Sequence, residues 1–210
     1  MEQAQPIEEK KSFKERARRI LNPVVAALVS LGVSPMLISI FGLVFSLYGA
    51  TVVARGSLFG GGIWLLIAGL CDVLDGSLAR EKGTVSRFGA FIDSTFDRIS
   101  ELAYFSGLVV YYVTRPQGYS TFLITLVCIV LGASFLISYA RARLEGLGYE
   151  CHVGLLERPE RLTLLIVGLV LGSRVLAVIL FVMAVGSVIT VLQRIRHGYI
   201  VTRGTQSPGT

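Results

Sequence analysis

The amino-acid sequence predicts an all-α integral membrane protein with six transmembrane helices, preceded by an N-terminal amphipathic interfacial helix. The composition is 53% hydrophobic and only 16% charged, whereas about a quarter of the residues in a soluble domain are charged. The mean hydropathy is +0.68. Residues 20–54, 116–140 and 175–193 contain no charged side chain. Since a membrane span needs about 20 apolar residues, these runs predict several crossings of a bilayer.

The N-terminal segment, residues 1–33, is predicted to be a polar tail followed by the interfacial helix. Residues 10–19 read KKSFKERARR, and such a basic helix leaves Lys and Arg at anionic headgroups while its apolar side packs into lipid. The apolar stretch that follows is interrupted by Pro23, Gly32 and Pro35, and proline disfavours helix just before it. We therefore expect the interfacial helix to end near Gly32. The polar first 19 residues lack the apolar core of a cleavable signal peptide.

Six spans are predicted within one membrane domain, residues 34–198, and residues 199–210 are predicted to be a C-terminal tail. The uncharged parts of the second and third spans, residues 56–71 and 102–114, are too short to cross alone, so each helix must include charged turns at one end. The predicted spans cover about residues 34–54, 58–80, 88–114, 119–141, 155–173 and 175–194.

The basic residues predict the orientation of these spans. Arg55, Arg115 and Arg174 fall at the turns on one side, and the more basic side of a membrane protein faces the cytoplasm. We therefore expect a multi-pass protein of the cell membrane with both termini on the cytoplasmic side. A net charge of +6 in so apolar a chain points to anionic lipid or anionic substrates rather than to nucleic acid. The cytoplasmic side would carry Arg80, Lys82, Arg87, Arg141, Arg143, Arg158, Arg161, Arg194, Arg196 and Arg203.

Four aspartates lie at the cytoplasmic ends of the second and third spans. Asp72 and Asp75 are three residues apart, and Asp93 and Asp97 are four apart, so each pair shares one face of its helix. A short loop places the two helices side by side, and the four carboxylates can meet. Charges at membrane depth are usually paired or functional. Carboxylate oxygens suit Mg²⁺, Mn²⁺ or Ca²⁺, and a pair of such ions can clamp phosphoryl oxygens.

The small residues beside the aspartates fit a phosphate ligand. Gly76 follows Asp75, and Gly89 lies one turn before Asp93, where glycine lets a ligand approach the backbone. Arg80 offers a fork for phosphate oxygens, and Ser86 offers a hydroxyl. The alternative is that the aspartates face water or pair with nearby arginines, namely Arg80, Arg87 and Arg98.

The whole constellation resembles the signature of the CDP-alcohol phosphatidyltransferase family, without gap or substitution. It reads Asp72-x2-Asp75-Gly76-x2-Ala79-Arg80-x8-Gly89-x3-Asp93-x3-Asp97. The resemblance implies six spans, a homodimer, and transfer of a phosphatidyl group from a CDP-linked lipid to an alcohol with release of CMP. It implies that the four aspartates bind two Mg²⁺ or Mn²⁺ ions and that Asp97 takes the proton of the acceptor hydroxyl. The CDP-lipid would be contacted by Gly76, Ala79, Arg80, Gly89 and Ser86.

A second pattern concerns the acceptor. Residues 138–162 read SYARARLEGLGYECHVGLLERPERL, similar to the SYxKAR…ERPER pattern of the phosphatidylinositol-phosphate synthase branch. That resemblance implies that inositol phosphate is bound through its phosphate by Arg141, Arg158 or Arg161, and Arg194. Arg141 stands where the branch often has lysine, and the two side chains bind phosphate with different geometry. Arg143, Arg196 and Arg203 are explained by the cytoplasmic position alone.

Several alternatives stay open at the level of the sequence. Glycerol 3-phosphate or serine would serve as acceptor in the same chemistry, and the donor is either CDP-diacylglycerol or an ether-lipid (archaetidyl) analogue. A cation transporter would use the same acidic cluster, although transporter sites usually lie near the bilayer midplane. A purely structural membrane subunit leaves the facial spacing of the aspartates unexplained.

Overall fold

The computed structural model describes residues 22–116 and 118–204, and these residues form seven helices and no strand. The all-α prediction is therefore confirmed for this part of the chain. In order, the helices are α1 (residues 22–30), α2 (Pro35–Ala54), α3 (Leu58–Glu81), α4 (Arg87–Thr114), α5 (Ser120–Gly146), α6 (Arg158–Leu171) and α7 (Ser173–Gly204).

Four of the helices, α2, α3, α5 and α7, are long and apolar enough to cross a membrane. Large apolar side chains such as Val113, Phe122 and Val178 lie exposed on the outside of the bundle, where lipid would cover them. The other two predicted spans, α4 and α6, are less suited to cross a membrane. Helix α4 has 28 residues but carries charges along its first half, and α6 has 14 residues, about 21 Å, against a hydrocarbon core of about 30 Å. The six-span count stays a prediction.

Local sequence explains where the helices of the site begin. Pro35 occupies the first turn of α2, where the missing N–H is not needed. Ser57 and Ser86 cap α3 and α4 by accepting hydrogen bonds from the backbone N–H groups three residues on, as N-cap serines do. Gly83, with φ of 63°, allows the tight turn between α3 and α4.

Close backbone contact fixes α4 against α2, and one buried hydrogen bond links α4 to α3. A Cβ added to Gly107 of α4 would lie 2.6 Å from the carbonyl oxygen of Ala50 in α2, so only glycine fits there. The buried hydroxyl of Tyr104 donates a hydrogen bond to the carbonyl oxygen of Gly61 in α3 at 3.0 Å. Helix α6 packs on α3 and α7, and α5 packs on α4 and α7. The polar ends of α3 to α7 therefore have fixed positions around one site.

The structure changes several predicted boundaries. Helix α7 continues to Gly204, past the predicted end of the last span and into the predicted tail, because charged residues end a membrane span but do not end a helix. For the same reason α5 extends to Gly146. Helix α6 begins at Arg158, with Pro159 in its first turn, rather than near residue 155. Residues 1–21, which hold the basic part of the predicted interfacial helix, and residues 205–210 lie outside the described residues.

Candidate active site

Three of the predicted metal-binding aspartates converge between α3 and α4. Carboxylate oxygens of Asp72, Asp75 and Asp93 all lie within 4.8 Å of one another. Asp75 is buried, and the hydroxyl of Ser39 in α2 donates a hydrogen bond to its Oδ2 at 2.5 Å. The facial spacing and the short turn thus produce the cluster that the sequence predicts.

The fourth aspartate, Asp97, lines the same small cavity as the other three but is engaged by a residue of α6. Its carboxylate forms an ion pair with the guanidinium of Arg158. Nη1 of Arg158 also donates to Oδ2 of Asp72 at 2.8 Å. The sequence resemblance implies only an acceptor role for Arg158. Helix spacing cannot predict its contact with Asp72, because the two residues are 86 positions apart in the chain.

The donor set fits a divalent cation. Its candidate ligands are carboxylate oxygens, which are the hard ligands that Mg²⁺ and Mn²⁺ prefer. The three convergent carboxylates come from two helices that are rigidly packed on α2, so their separation is set by the fold. Four negative charges at the polar end of apolar helices would repel one another without compensating cations.

The residues predicted to contact a CDP-lipid surround the turn between α3 and α4. The Arg80 side chain lies back along α3, where Nη2 donates to Oγ of Ser77 at 3.2 Å. A Cβ at Gly76 would meet Nη1 of Arg80 at 3.4 Å, so the guanidinium lies over the backbone of Gly76. On α4, Oγ of Ser86 accepts from the N–H of Gly89 at 3.0 Å. These groups and Ala79 lie at the same end of the helices as the aspartates.

A second, wider cavity of about 1030 Å³ lies between α4, α5, α6 and α7. All four arginines predicted to bind the acceptor, Arg141, Arg158, Arg161 and Arg194, line it. Asp93, Asp97 and Arg158 line both cavities. The aspartate cluster and the arginine-lined space therefore share one wall.

The four arginines differ in how far the protein already engages them. Arg161, 2% exposed, donates to Oε1 of Glu101 and Oγ of Ser134, both at 2.9 Å, and to the Leu156 carbonyl oxygen at 3.0 Å. Arg194, 3% exposed, donates to the carbonyl oxygens of Val153 at 2.9 Å and Ile137 at 2.6 Å. By contrast, Arg141 is 44% exposed and pairs with Glu145 at its own helix surface.

Glu101, which the sequence patterns did not single out, supports the wall of the site from behind. Its carboxylate accepts from Arg98 at 2.5 Å, from Ser134 at 2.7 Å and from Arg161 at 2.9 Å, and so joins α4, α5 and α6. A signal was present, since Glu101 lies four residues after Asp97 and therefore on the same face of α4. The network holds one wall of the wide cavity in place.

Comparison with known proteins adds the family context. The sequence profile of the CDP-alcohol phosphatidyltransferase family matches residues 32–192. The phosphatidylinositol phosphate synthase of Mycobacteroides abscessus is 37% identical over 187 residues, which cover 86% of this chain and 84% of that protein. The enzyme of the same name from Mycobacterium tuberculosis is 38% identical over 187 residues, with 84% of each chain covered.

Two crystal structures of the M. tuberculosis phosphatidylinositol phosphate synthase resemble this fold. The structure with CDP-DAG bound has a TM-score of 0.79 and 35% identity, and the match covers 91% of this chain and 96% of that chain. The structure in complex with manganese and citrate has a TM-score of 0.78 and 35% identity, with 89% and 90% covered. Both matches include most of each chain, so the likeness concerns the entire bundle.

Proposed function

Because the chain belongs to the CDP-alcohol phosphatidyltransferase family, we propose that it transfers a phosphatidyl group from a CDP-linked lipid to inositol phosphate. The products would be CMP and phosphatidylinositol phosphate. One observation carries this proposal: the cavity that holds the aspartates and the wide cavity that holds the four predicted acceptor arginines share Asp93, Asp97 and Arg158 as a common wall. A diphosphate on the first side and a phosphorylated alcohol on the second would meet there.

The metal site of the proposal consists of Asp72, Asp75, Asp93 and Asp97, which would hold two Mg²⁺ or Mn²⁺ ions. Convergence of three of these carboxylates within 4.8 Å supports it, as does the structure of the M. tuberculosis synthase with manganese. When bound, the ions supply positive charge that neutralises the diphosphate oxygens and the leaving CMP. The cluster lies at the polar end of α3 and α4, where water-soluble CMP can leave.

The chemical step of the proposal uses Asp97 as general base. The acceptor hydroxyl oxygen attacks the lipid-side phosphorus, the phosphoanhydride bond breaks, and its electron pair leaves with CMP. Asp97 lines both cavities, so its carboxylate can accept the hydroxyl proton while the phosphorus lies on the aspartate side. Such a base must lie within hydrogen-bond reach of the nucleophile, and positioning accounts for most of the remaining rate enhancement.

The donor is proposed to lie along the turn between α3 and α4. Gly76 and Gly89 have no side chain to block the diphosphate, and the guanidinium of Arg80 lies directly over Gly76. Ala79 completes this small-residue surface. The Ser86 oxygen accepts the capping bond from Gly89, and its proton remains available to a phosphate oxygen. The M. tuberculosis synthase binds CDP-DAG, and CDP-diacylglycerol is the donor that we propose here.

The acceptor is proposed to occupy the wide cavity with its phosphate toward the arginines. Arg141 and Arg158 present partly exposed guanidinium groups, so we assign them the direct contacts. Arg161 and Arg194 are nearly fully buried and bonded to the protein. They would contribute positive charge from the wall, which still attracts an anion across a medium of low dielectric constant.

In the membrane, we propose six spans with an N-terminal interfacial helix, a domain spanning residues 34–198, and both termini on the cytoplasmic side. Helices α4 and α6 would be the third and fifth spans, and their packing against α2, α3 and α7 supports this. The protein is proposed to act as a homodimer, as the family resemblance implies. The CDP-lipid would reach the site from the cytoplasmic leaflet, and inositol phosphate would reach it from the cytoplasm.

An acceptor screen tests the proposed function. Protein purified in detergent is incubated with CDP-diacylglycerol and Mg²⁺ or Mn²⁺, and CMP release is measured with one alcohol at a time. Release that depends on inositol phosphate is expected. Release that instead depends on glycerol 3-phosphate, serine or free inositol would replace the acceptor while keeping the family chemistry, and no release with any alcohol would contradict the proposal.

A further inference from the structure

Arg158 lies at the wall between the two cavities and is bonded to the aspartate side. Its Nη1 donates to Asp72 at 2.8 Å, and its Nη2 pairs with Asp97. Its side chain is 27% exposed, and the residue lines the wide cavity as well. Asp75 and Asp93, by contrast, make no ion pair with any residue in the part of the chain that the structure describes. One guanidinium therefore neutralises two particular members of the aspartate cluster.

These two carboxylates cannot serve a guanidinium and a divalent cation equally well. Charge-assisted hydrogen bonds from arginine to carboxylate are among the strongest in proteins, so a cation at Asp72 and Asp97 must weaken or replace them. The two positive groups would also repel one another at a few ångström. Arg158 therefore competes with a divalent cation for the carboxylates of Asp72 and Asp97.

The backbone of Arg158 is fixed while its side chain has room to turn. Arg158 is the first residue of α6, and the same helical turn is anchored by Arg161, which bonds to Glu101 and to the Leu156 carbonyl oxygen. On the other side of Arg158 the wide cavity opens toward Arg141. A change of side-chain torsions alone would carry the guanidinium from the aspartates to that space.

We propose that Arg158 couples the two halves of the site: it holds Asp72 and Asp97, yields them to divalent ions, and then faces the phosphate of the acceptor. This inference rests on the proposed function. Coupling between two ligands is reciprocal, so ions that release Arg158 favour acceptor binding, and an acceptor phosphate that draws Arg158 away favours ion binding by the same factor. Loading of the metal site and completion of the acceptor site therefore favour each other.

The first test measures Mn²⁺ binding alone, by electron paramagnetic resonance, with protein purified in detergent. We expect Arg158→Gln to lower the Mn²⁺ dissociation constant by about tenfold, because Asp72 and Asp97 lose their competing partner. The matched control is Arg141→Gln, an arginine of the same cavity that pairs with Glu145 and not with an aspartate. It should change the constant by less than about twofold.

The second test measures the coupling itself. Adding inositol phosphate should lower the Mn²⁺ dissociation constant of the unmodified protein by about threefold or more, within the usual range of coupling between sites. Simple chelation of Mn²⁺ by the phosphate would act in the opposite direction. In Arg158→Gln this effect should disappear. If Arg158→Gln fails to fold, Arg158→Lys, whose single amine forms no two-pronged bridge, should still tighten Mn²⁺ binding by about threefold.

The possible outcomes distinguish a failure of the proposed Arg158 coupling from a failure of the proposed enzymatic function. An Arg158→Gln protein that binds Mn²⁺ as the unmodified protein does, or that keeps the full effect of inositol phosphate, overturns the coupling and leaves the proposed enzyme intact. An unmodified protein that binds no Mn²⁺ overturns the proposed metal site itself and the coupling with it.

Discussion

Asp97 is the aspartate that the structure distinguishes from the other three, because it is the one that both faces the wide cavity and pairs with Arg158. Asp97→Asn preserves the size of the side chain but replaces the carboxylate by an amide that accepts a proton poorly. We expect turnover to fall by about 100-fold or more, since general-base catalysis contributes at least that much. Binding of CDP-diacylglycerol should change by only a few-fold.

The measurement is CMP release at saturating substrates together with equilibrium binding of the CDP-lipid. Asp93→Asn is the comparison. Both residues belong to the proposed metal site, so either change should weaken Mn²⁺ binding, but Asp93 is not the proposed base, and turnover of Asp93→Asn at saturating Mn²⁺ should fall less. Full activity of Asp97→Asn would refute the assignment of the base.

Burial separates the arginines of the acceptor cavity into two kinds. Arg141 is 44% exposed, so Arg141→Ala should raise the KM for inositol phosphate by about tenfold without a change in melting temperature or in the KM for the CDP-lipid. Arg143→Ala, an exposed arginine of the same helix, is the control and should leave both constants unchanged. Equal increases in both KM values would place Arg141 outside the acceptor pocket.

Arg161 is expected to behave differently because it is 2% exposed and paired with Glu101. Arg161→Ala leaves that buried carboxylate with less compensation and should lower the free energy of unfolding by roughly 3 kcal/mol, as breaking a buried ion pair does. Thermal unfolding followed by Trp64 fluorescence measures this loss. Replacing both partners, with Arg161→Met and Glu101→Gln together, should be less destabilising than the sum of the single changes, whereas strict additivity would show that the pair is not coupled.

At the scale of the helices, the sequence predicted which residues share a helix face better than it predicted which residues of different helices make contact. Spacing of three and four residues agrees with the structure, in which three of the four carboxylates meet. The short loop did not make α3 and α4 packed neighbours, because each of them packs mainly on α2, and α2 brings their polar ends together. Spacing carries no information about which distant helix supplies a partner. The contact of Arg158 with Asp72 and that of Glu101 with Arg161 depend on where α6 packs against α3 and α7, and helix periodicity does not encode that packing.

The close approach of α2 and α4 predicts that the packing of α4 is sensitive to the size of residue 107. Gly107→Ala would place a Cβ 2.6 Å from the Ala50 carbonyl oxygen, and backbone atoms cannot move aside as a flexible side chain can. We expect a loss of roughly 2 kcal/mol in the free energy of unfolding, a typical effect of overpacking. Because α4 carries Asp93 and Asp97, two of the proposed metal ligands, a weaker Mn²⁺ affinity should accompany the loss of stability.

The control is Gly132→Ala on α5, where an added Cβ meets no atom within 4 Å. There alanine should be neutral or stabilising by up to about 1 kcal/mol, since glycine is the poorer helix former. Both variants are compared by thermal unfolding and Mn²⁺ titration. If Gly107→Ala is as stable as Gly132→Ala, the backbone contact between α2 and α4 does not position the site.

For the whole molecule, the number of spans decides whether the two halves of the site lie on one side of the membrane. If only α2, α3, α5 and α7 crossed, the chain would enter α5 from the cytoplasmic side and reach residues 150–156 on the outer side. The acceptor arginines near α6 would then be a membrane thickness, about 30 Å, from the aspartates. Nη1 of Arg158 instead lies 2.8 Å from Asp72, which supports the six-span proposal.

Cysteine labelling distinguishes the two topologies. The three native cysteines, Cys71, Cys128 and Cys151, are first replaced by serine. One new cysteine is then introduced, either at Gly118 or at His152. Gly118 lies in the turn before α5, where an added Cβ meets nothing within 4 Å, and the His152 side chain is 73% exposed. Six spans place residue 118 outside and residue 152 inside, so in intact cells a membrane-impermeant maleimide should label G118C and not H152C. The reverse pattern is what four spans require. It would leave the arginines of α6 unable to meet the aspartates in the membrane, and the shared wall on which the proposed reaction depends could not form.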